Sequence, residues 1–403
     1  MQQINTIAES LSASLKTELM EDILPYWSEN MIDPAGGFYG HISGMGVPNQ
    51  AAPKGVVLNS RILWTFSSAY RLTRCEKWRE VANRAFVEII DKFEDKEYGG
   101  VYWSLDSSGT PLQTKKQIYA VAFAIYGLSE YYRAFGVSSA LDAAIRLFES
   151  VEEYSFDKLG NGYFEAFARD WSPVDDLRLS DKDANESKTM NTHLHILEAY
   201  TSLYRVWKSP RLYVQLKNLI FIFSEHIINS DGHLGLFFND EWISKSNTVS
   251  YGHEIEASWL LWETALVLDD DLVKAIVKPL VWKLADAASE GWTAGGGMVY
   301  EKNRDNGIVD QDRHWWVQAE AVVGYFNLWD SFGLQSALEK SVDSWNYIAE
   351  HLLDRENGEW YWSVKADGTA NLDDAKAGFW KCPYHNGRMC MEVIERLNKY
   401  NAI

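Results

Sequence analysis

Apolar positions along this chain follow two alternating helical patterns. Segments such as KWREVANRAFVEIIDKFED place apolar residues every three or four positions with a polar stripe opposite, which predicts a helix that buries one face. Segments such as VVLNSRILWTFSSAY, YAVAFAIYGLSEYY and WWVQAEAVVGYFNLW are small and apolar nearly all round, which predicts helices enclosed on every side. The striped kind is predicted near 4–29, 76–95, 137–153, 208–228, 270–289 and 334–353. The enclosed kind is predicted near 55–74, 115–136, 187–207, 251–269, 313–333 and 385–398.

Each striped segment is separated from the next enclosed one by a glycine-plus-aromatic hairpin. The six are GGFYG, GGVYW, GNGYF, DGHLGLFF, GGGMVY and NGEWYW. Measured on Gly37, Gly100, Gly162, Gly232, Gly297 and Gly358, they recur every 61 to 70 residues. Glycines provide the positive φ of tight turns, and the alternating aromatics read as short strands. Twelve helices in six near-equal units, without long β-branched runs, predict an all-α (α/α)6 barrel with short β-hairpins between outer and inner helices. An open solenoid would show a shorter, more regular repeat with polar end caps. The chain 1–403 is therefore expected to form a single catalytic domain.

Composition narrows the partners. The net charge is -19, so nucleic acid and anionic membrane are not expected, since both require clustered Lys and Arg. There are 18 Trp in 403 residues. An indole offers a broad stacking face and one N–H, which suits a ligand with apolar faces and polar edges, as a sugar has. Cys75, Cys382 and Cys390 form no CxxC and cannot all pair, so neither a disulfide framework nor a zinc knuckle is expected. The first 27 residues read as an amphipathic helix and no run approaches 18 apolar residues. A cytoplasmic, monomeric protein is the expectation.

Unexpected polar residues sit in the opening turns of the enclosed helices. They are Arg61 and Asn59, Tyr119, Asn191 and His195, His253 and Glu256, Trp316 and Glu320, and finally Trp380, His385 and Arg388. Inner helices of such a barrel run the same way, so these groups from six distant segments should converge at one mouth. Three histidines and two glutamates could bind a metal, although HEIE is not HExxH and no two of these histidines share a helix at ligand spacing. Glu256 and Glu320 could serve a glycosidase, but that leaves three histidines idle. A histidine pair suits proton transfer at a carbon beside a carbonyl, since imidazole removes such a proton near neutrality and imidazolium returns one. Two imidazoles on opposite faces of a planar enediol would invert the carbon between them.

With those residues in view, the chain resembles the N-acylglucosamine 2-epimerase superfamily, and within it the cellobiose 2-epimerase group. The resemblance rests on GGFYG, KGVVLNSRILW, KTMNTHLHILEAY, SYGHEIEASW, WWVQAEAVVG and WKCPYHNGRMCMEV, which run from about residue 22 to 395. It implies metal-independent epimerisation at C2 of the reducing-end sugar of β-1,4-linked disaccharides, with no cofactor. It further implies His253 and His385 as the acid/base pair, with Glu256 and Glu320 orienting them and Glu256 the partner of His253. His195 would assist ring opening or hold the O1/O5 region, while Arg61, Tyr119 and Asn191 would bind the open-chain sugar. Trp316 and Trp380 would stack on sugar rings, with Trp259 either a further stacking surface or a core residue. Arg388 is assigned a structural part.

Overall fold

The computed structural model describes residues 2–401, with the side chains of 7–398. Its enclosed helices are α3 (Val56–Thr73), α5 (Ile118–Phe135), α7 (Met190–Val206), α9 (Tyr251–Leu268), α11 (Trp315–Phe332) and α13 (His385–Asn401). Each packs on the next, and α13 packs back on α3, so the ring closes. The striped helices lie outside it: α1 (Gln2–Thr17) with α2 (Leu24–Glu29), α4 (Glu76–Glu88), α6 (Ser138–Ser150), α8 (Pro210–Ile222), α10 (Asp271–Ala288) and α12 (Gln335–Tyr347). α4, α6, α8, α10 and α12 each pack on the inner helix they follow, and α1 packs on α13, joining the two ends of the chain. The protein is an (α/α)6 barrel.

All six glycine-rich hairpins are present, each closed by one antiparallel bridge: Ile32 to Phe38, Glu94 to Val101, Phe156 to Tyr163, Ile228 to Leu234, Trp292 to Met298 and Leu353 to Trp360. The fifth differs in detail from expectation. There Gly296, at φ +87°, takes the left-handed position rather than Gly297. Five of the outer helices end in a π-helical turn, as at Glu18–Ile23 and Ile89–Phe93.

The hairpins are held by a device that the glycine pattern does not reveal. In four units an aspartate caps its own turn and accepts a buried lysine from the segment leading into the next inner helix. Asp33 accepts Ala35 N–H at 2.9 Å and Lys54 Nζ at 2.8 Å. Lys116 to Asp95 (2.8 Å), Lys188 to Asp157 (2.7 Å) and Lys376 to Asp354 repeat it. Lys54, Lys188 and Lys376 also donate to hairpin carbonyls, at Gly36, Asn161 and Gly358. Lys54, Lys116 and Lys188 sit just before an inner helix begins, so those three pairs fix where that helix's first turn points. The fourth and fifth units carry Asn229 and Thr293 at the aspartate position.

Between units, strands of two or three residues pair antiparallel. β1 (Lys54–Gly55) joins β2 (Ser104–Leu105), which also pairs with β3 (Pro111–Gln113), and β4 (Lys116–Gln117) joins β5 (Ala166–Phe167). β6 (Lys188–Thr189) joins β7 (Phe237–Phe238). β8 (Thr248–Ser250) pairs with β9 (Glu301–Asn303), whose other edge takes β10 (Val309–Asp310). β11 (Arg313–His314) joins β12 (Ser363–Val364). Thus β1, β4, β6, β8 and β11 each deliver an inner helix to the same end of the barrel. At the opposite end, cationic residues of the last helical turns cross to neighbouring helices, where they also complement the helix dipoles. Arg71 binds Glu130 and Glu395, and Arg205 binds Glu263.

Candidate active site

The end at which the inner helices begin collects the polar residues singled out in the sequence. Arg61 of α3 donates through Nη2 to Tyr119 Oη of α5 at 2.7 Å and through Nη1 to the Trp380 carbonyl at 3.1 Å. Its guanidinium lies over the Phe123 and Tyr384 rings, at 4.1 and 4.8 Å. Among the described residues no carboxylate pairs with Arg61, so this buried cation is balanced by rings, neutral oxygens and the Cys382 thiol, whose Sγ is 3.8 Å from Nη1. The Tyr119 ring stands edge-on to His195 at 5.0 Å and to Trp380 at 6.1 Å. Asn191, in the first turn of α7, has its Oδ1 buried without a hydrogen-bond partner.

His253 and His385 share one compartment. Both rings pack on the Trp316 indole, at 4.7 and 5.7 Å between ring centres. His385 Nδ1 is 2.7 Å from Glu320 Oε1. An ionised carboxylate only accepts, so Nδ1 carries the proton and Nε2 is the basic nitrogen. Burial pulls His385 down to about 4 despite the opposing pull of Glu320. Burial, with the nearby His195 and His385, takes His253 down to about 3. Both imidazoles are therefore neutral at pH 7.

Two expectations need correction. Glu256 is not the partner of His253; His253 Nδ1 is instead 2.7 Å from Oγ of Ser250, the residue just before α9. Positions 253 and 256 are one turn apart, but the Glu256 side chain turns inward to Arg388, whose Nη2 lies 2.7 Å from both Glu256 Oε1 and Glu320 Oε1. Trp259 is not a stacking surface either. It is 1% exposed, donates Nε1–H to Glu320 Oε2 at 2.9 Å, and has Arg388 over its ring at 4.7 Å. It supports the site from beneath.

Arg388 is the hub of that support. Its guanidinium binds Glu256, Glu320 and Glu198, and Glu198 in turn accepts Tyr384 Oη–H and His195 Nδ1 at 2.9 Å. Glu198, Ser250 and Tyr384 were not singled out from the sequence. Glu198 lies three residues after His195 and so on its face, while Tyr384 adjoins His385; both signals were legible. Burial pushes Glu256 well above the usual carboxylate range, reinforced by Glu320. Burial also pushes on Glu320, but Arg388 and His385 outweigh it and hold Glu320 down at about 2.

Glu256, Glu320 and His385 could offer metal-ligand atoms within 4.8 Å of one another. The Arg388 guanidinium already bridges the two carboxylates, so the cluster has its cation built in. The same bridge bears on glycoside hydrolysis, which needs two carboxylates flanking a scissile bond. Here both are bound by one nitrogen.

The sequence matches the family model of N-acylglucosamine 2-epimerase (GlcNAc 2-epimerase) over residues 37–387. This chain belongs to the N-acylglucosamine 2-epimerase family. Within the family it is 58% identical over 388 residues to a cellobiose 2-epimerase of Bacteroides fragilis, covering 96% of this chain and 99% of that one. It is 40% identical to a cellobiose 2-epimerase of Ruminococcus albus, covering 95% and 98%. The solved structure of cellobiose 2-epimerase from Bacillus thermoamylovorans superposes with a TM-score of 0.92 at 38% identity, covering 96% of this chain and all of that one. Membership makes this chain an enzyme of sugar epimerisation, and its barrel is that of the epimerases. Among the described residues no helix is long and apolar enough to cross a membrane.

Proposed function

We propose that this chain inverts C2 of the reducing-end glucose or mannose of β-1,4-linked disaccharides, turning cellobiose into glucosyl-mannose, lactose into epilactose, or mannobiose into mannosyl-glucose. The observation that carries the reading is the pair of neutral imidazoles, His253 and His385, against one indole, with a buried and unpaired-by-acid Arg61 nearby. His195 assists opening of the ring. One imidazole then takes the C2 proton, made acidic by the C1 aldehyde, and the electron pair moves to the carbonyl oxygen as a cis-enediolate. Arg61 stabilises that oxygen, as an oxyanion hole does. Rotation about C2–C3 presents the other face of C2, and the abstracted proton, held as imidazolium within the histidine pair, is returned to that face to complete the inversion. Tyr119 and Asn191 hold hydroxyls, and Trp316 and Trp380 stack on the two sugar rings. Glu320 holds His385 in its tautomer; Glu256 acts through Arg388.

All six inner helices of one chain supply the site, so the enzyme acts as a monomer and a single catalytic domain. Three free thiols fit a reducing compartment. Cellobiose incubated with the enzyme in D2O tests the reaction: deuterium enters C2 and glucosyl-mannose forms. Release of glucose, or neither product nor exchange, overturns the reading. A ketose accumulating ahead of the epimer would mark an aldose–ketose isomerase using the same enediolate. Turnover is expected to be unchanged by EDTA, because Arg388 fills the place between the carboxylates.

A further inference from the structure

His195 and Glu198 lie three residues apart on the inward face of α7, and both are 3% exposed. Glu198 Oε2 faces His195 Nδ1 at 2.9 Å, while Oε1 accepts from both Tyr384 Oη and Arg388 Nη1. The carboxylate is thus surrounded by three donors and has no freedom to turn. Its ionisation follows from its neighbours. Burial pushes it up, but the Arg388 charge and the hydrogen bonds from His195 and Tyr384 outweigh that and bring it below its ordinary value. His195 is itself shifted down by burial.

An ionised carboxylate at Nδ1 leaves one neutral tautomer for His195, with the proton on Nδ1 and the lone pair on Nε2. The ring is also wedged between Tyr119, at 5.0 Å and edge-on, and Phe123, at 4.7 Å. Tyr119 is in turn fixed by Arg61. His195 is therefore fixed in plane, tautomer and depth, at a place distinct from the Trp316 indole that serves His253 and His385. Through Arg388, Glu198 is joined to Glu320 and hence to His385, so two histidine–carboxylate pairs hang from one guanidinium.

We infer that Glu198 is the positioning residue for ring opening: it holds His195 with Nε2 basic, so that His195 relays a proton from the anomeric hydroxyl to the ring oxygen. The step balances without any co-reactant. The O1 proton moves to Nε2, C1=O forms as the C1–O5 bond breaks, the electron pair of that bond stays on O5, and the imidazolium returns the proton to O5. This inference rests on the proposed epimerase reading, and goes beyond it in dividing the site into a ring-opening pair, His195 with Glu198, and a C2 pair, His253 with His385.

The discriminating variant is Glu198→Gln. Tyr384 and Arg388 are donors, so they orient the glutamine oxygen toward themselves and turn its NH2 toward His195 Nδ1. That forces the proton onto Nε2, the wrong tautomer for accepting the O1 proton, as replacing the aspartate by asparagine does in a Ser-His-Asp triad. Enzyme-accelerated interconversion of the α and β anomers of cellobiose, followed by NMR, is expected to fall at least about a hundredfold. C2 exchange in D2O falls with it on cellobiose. It returns to near the wild-type rate on an analogue whose reducing unit lacks the 5-hydroxyl: with O4 in the glycosidic bond, that unit can close neither a pyranose nor a furanose and needs no opening.

Undiminished anomer interconversion in Glu198→Gln overturns the inference, and so does C2 exchange that stays lost on the open-chain analogue, since that is what a merely structural role gives. If the variant does not fold, the imidazole 15N shifts of His195 in the wild-type protein decide, and an Nε2-protonated ring overturns the inference. Failure of the wild-type enzyme to exchange C2 at all would instead strike the epimerase reading.

Discussion

At the scale of single residues, the proposed chemistry depends on basicity set by burial. His385 at about 4 and His253 at about 3 are neutral at pH 7, with one ring nitrogen of each left unprotonated. Protonation occupies the lone pair that a general base uses, so activity is lost as pH falls through those values, not through 6.5. We expect kcat/KM for cellobiose to stay level from pH 7 to about 5 and to decline below that; a profile already halved at pH 6.5 would contradict the burial argument. Replacing His253 or His385 with Asn should lower turnover at least about a hundredfold. Near-normal rates in both would remove them from the mechanism. Trp259 and Trp316 separate support from stacking. Trp259→Phe removes one hydrogen bond to Glu320, worth about 1 kcal/mol, and should lower kcat about fivefold with KM unchanged. Trp316→Ala should raise KM instead. A raised KM in Trp259→Phe would restore it as a stacking surface.

At the scale of elements, the lysine–aspartate pairs of Lys54, Lys116 and Lys188 behind the hairpins aim the inner helices. Lys188 is wholly buried and donates to Asp157 and to the Asn161 and Asp240 carbonyls. Lys188→Met leaves a carboxylate and two carbonyls without their donor, a loss of about 3–5 kcal/mol for a broken buried pair. The urea midpoint should drop well below that of the parent protein, whereas exposed pairs such as Lys77 with Glu29 should scarcely matter. Equal midpoints for the two changes would refute this. The helices were legible because their apolar positions recur at the helical period, and enclosed helices have no polar stripe. The lysine–aspartate pairs were not legible: their members lie 21 to 31 residues apart, and only the fold of the hairpin brings them together.

At the scale of the whole molecule, the barrel closes where its first and last units meet. Trp360 donates Nε1–H to Glu18 Oε1 at 2.7 Å, and Trp27 donates to Glu359, which also receives Lys381. Burial lifts Glu18 to about 8, with Asp22 and Glu359 adding to the shift. The folded state therefore binds a proton that the unfolded chain releases near pH 4.5. Its stabilising share is complete below 4.5 and is lost as pH rises to about 8. Glu18→Gln keeps an acceptor for Trp360 and has no proton to lose, so the fall in melting temperature between pH 6 and 9 should be smaller in this variant. An unaltered fall would show that the seam does not titrate.

The sequence by itself determined the number of units, the kind of each helix and the end of the barrel at which the buried polar residues gather. These follow from periodicity, which is local, and from the shared direction of helices in a repeat. It also brought forward Arg61, Tyr119, Asn191, His195, His253, Trp316, Glu320, Trp380 and His385, all of which lie at that end in the structure. Which carboxylate serves which histidine was decided only by tertiary structure. Glu256 and His253 are one turn apart, yet a buried carboxylate must find a cation, and Arg388, 132 residues away, draws it inward and leaves His253 to Ser250. Trp259 likewise sinks beneath the site because its N–H finds Glu320 there. Polar groups taken out of water bind whatever partner the fold brings nearest, and that distance is not written along the chain.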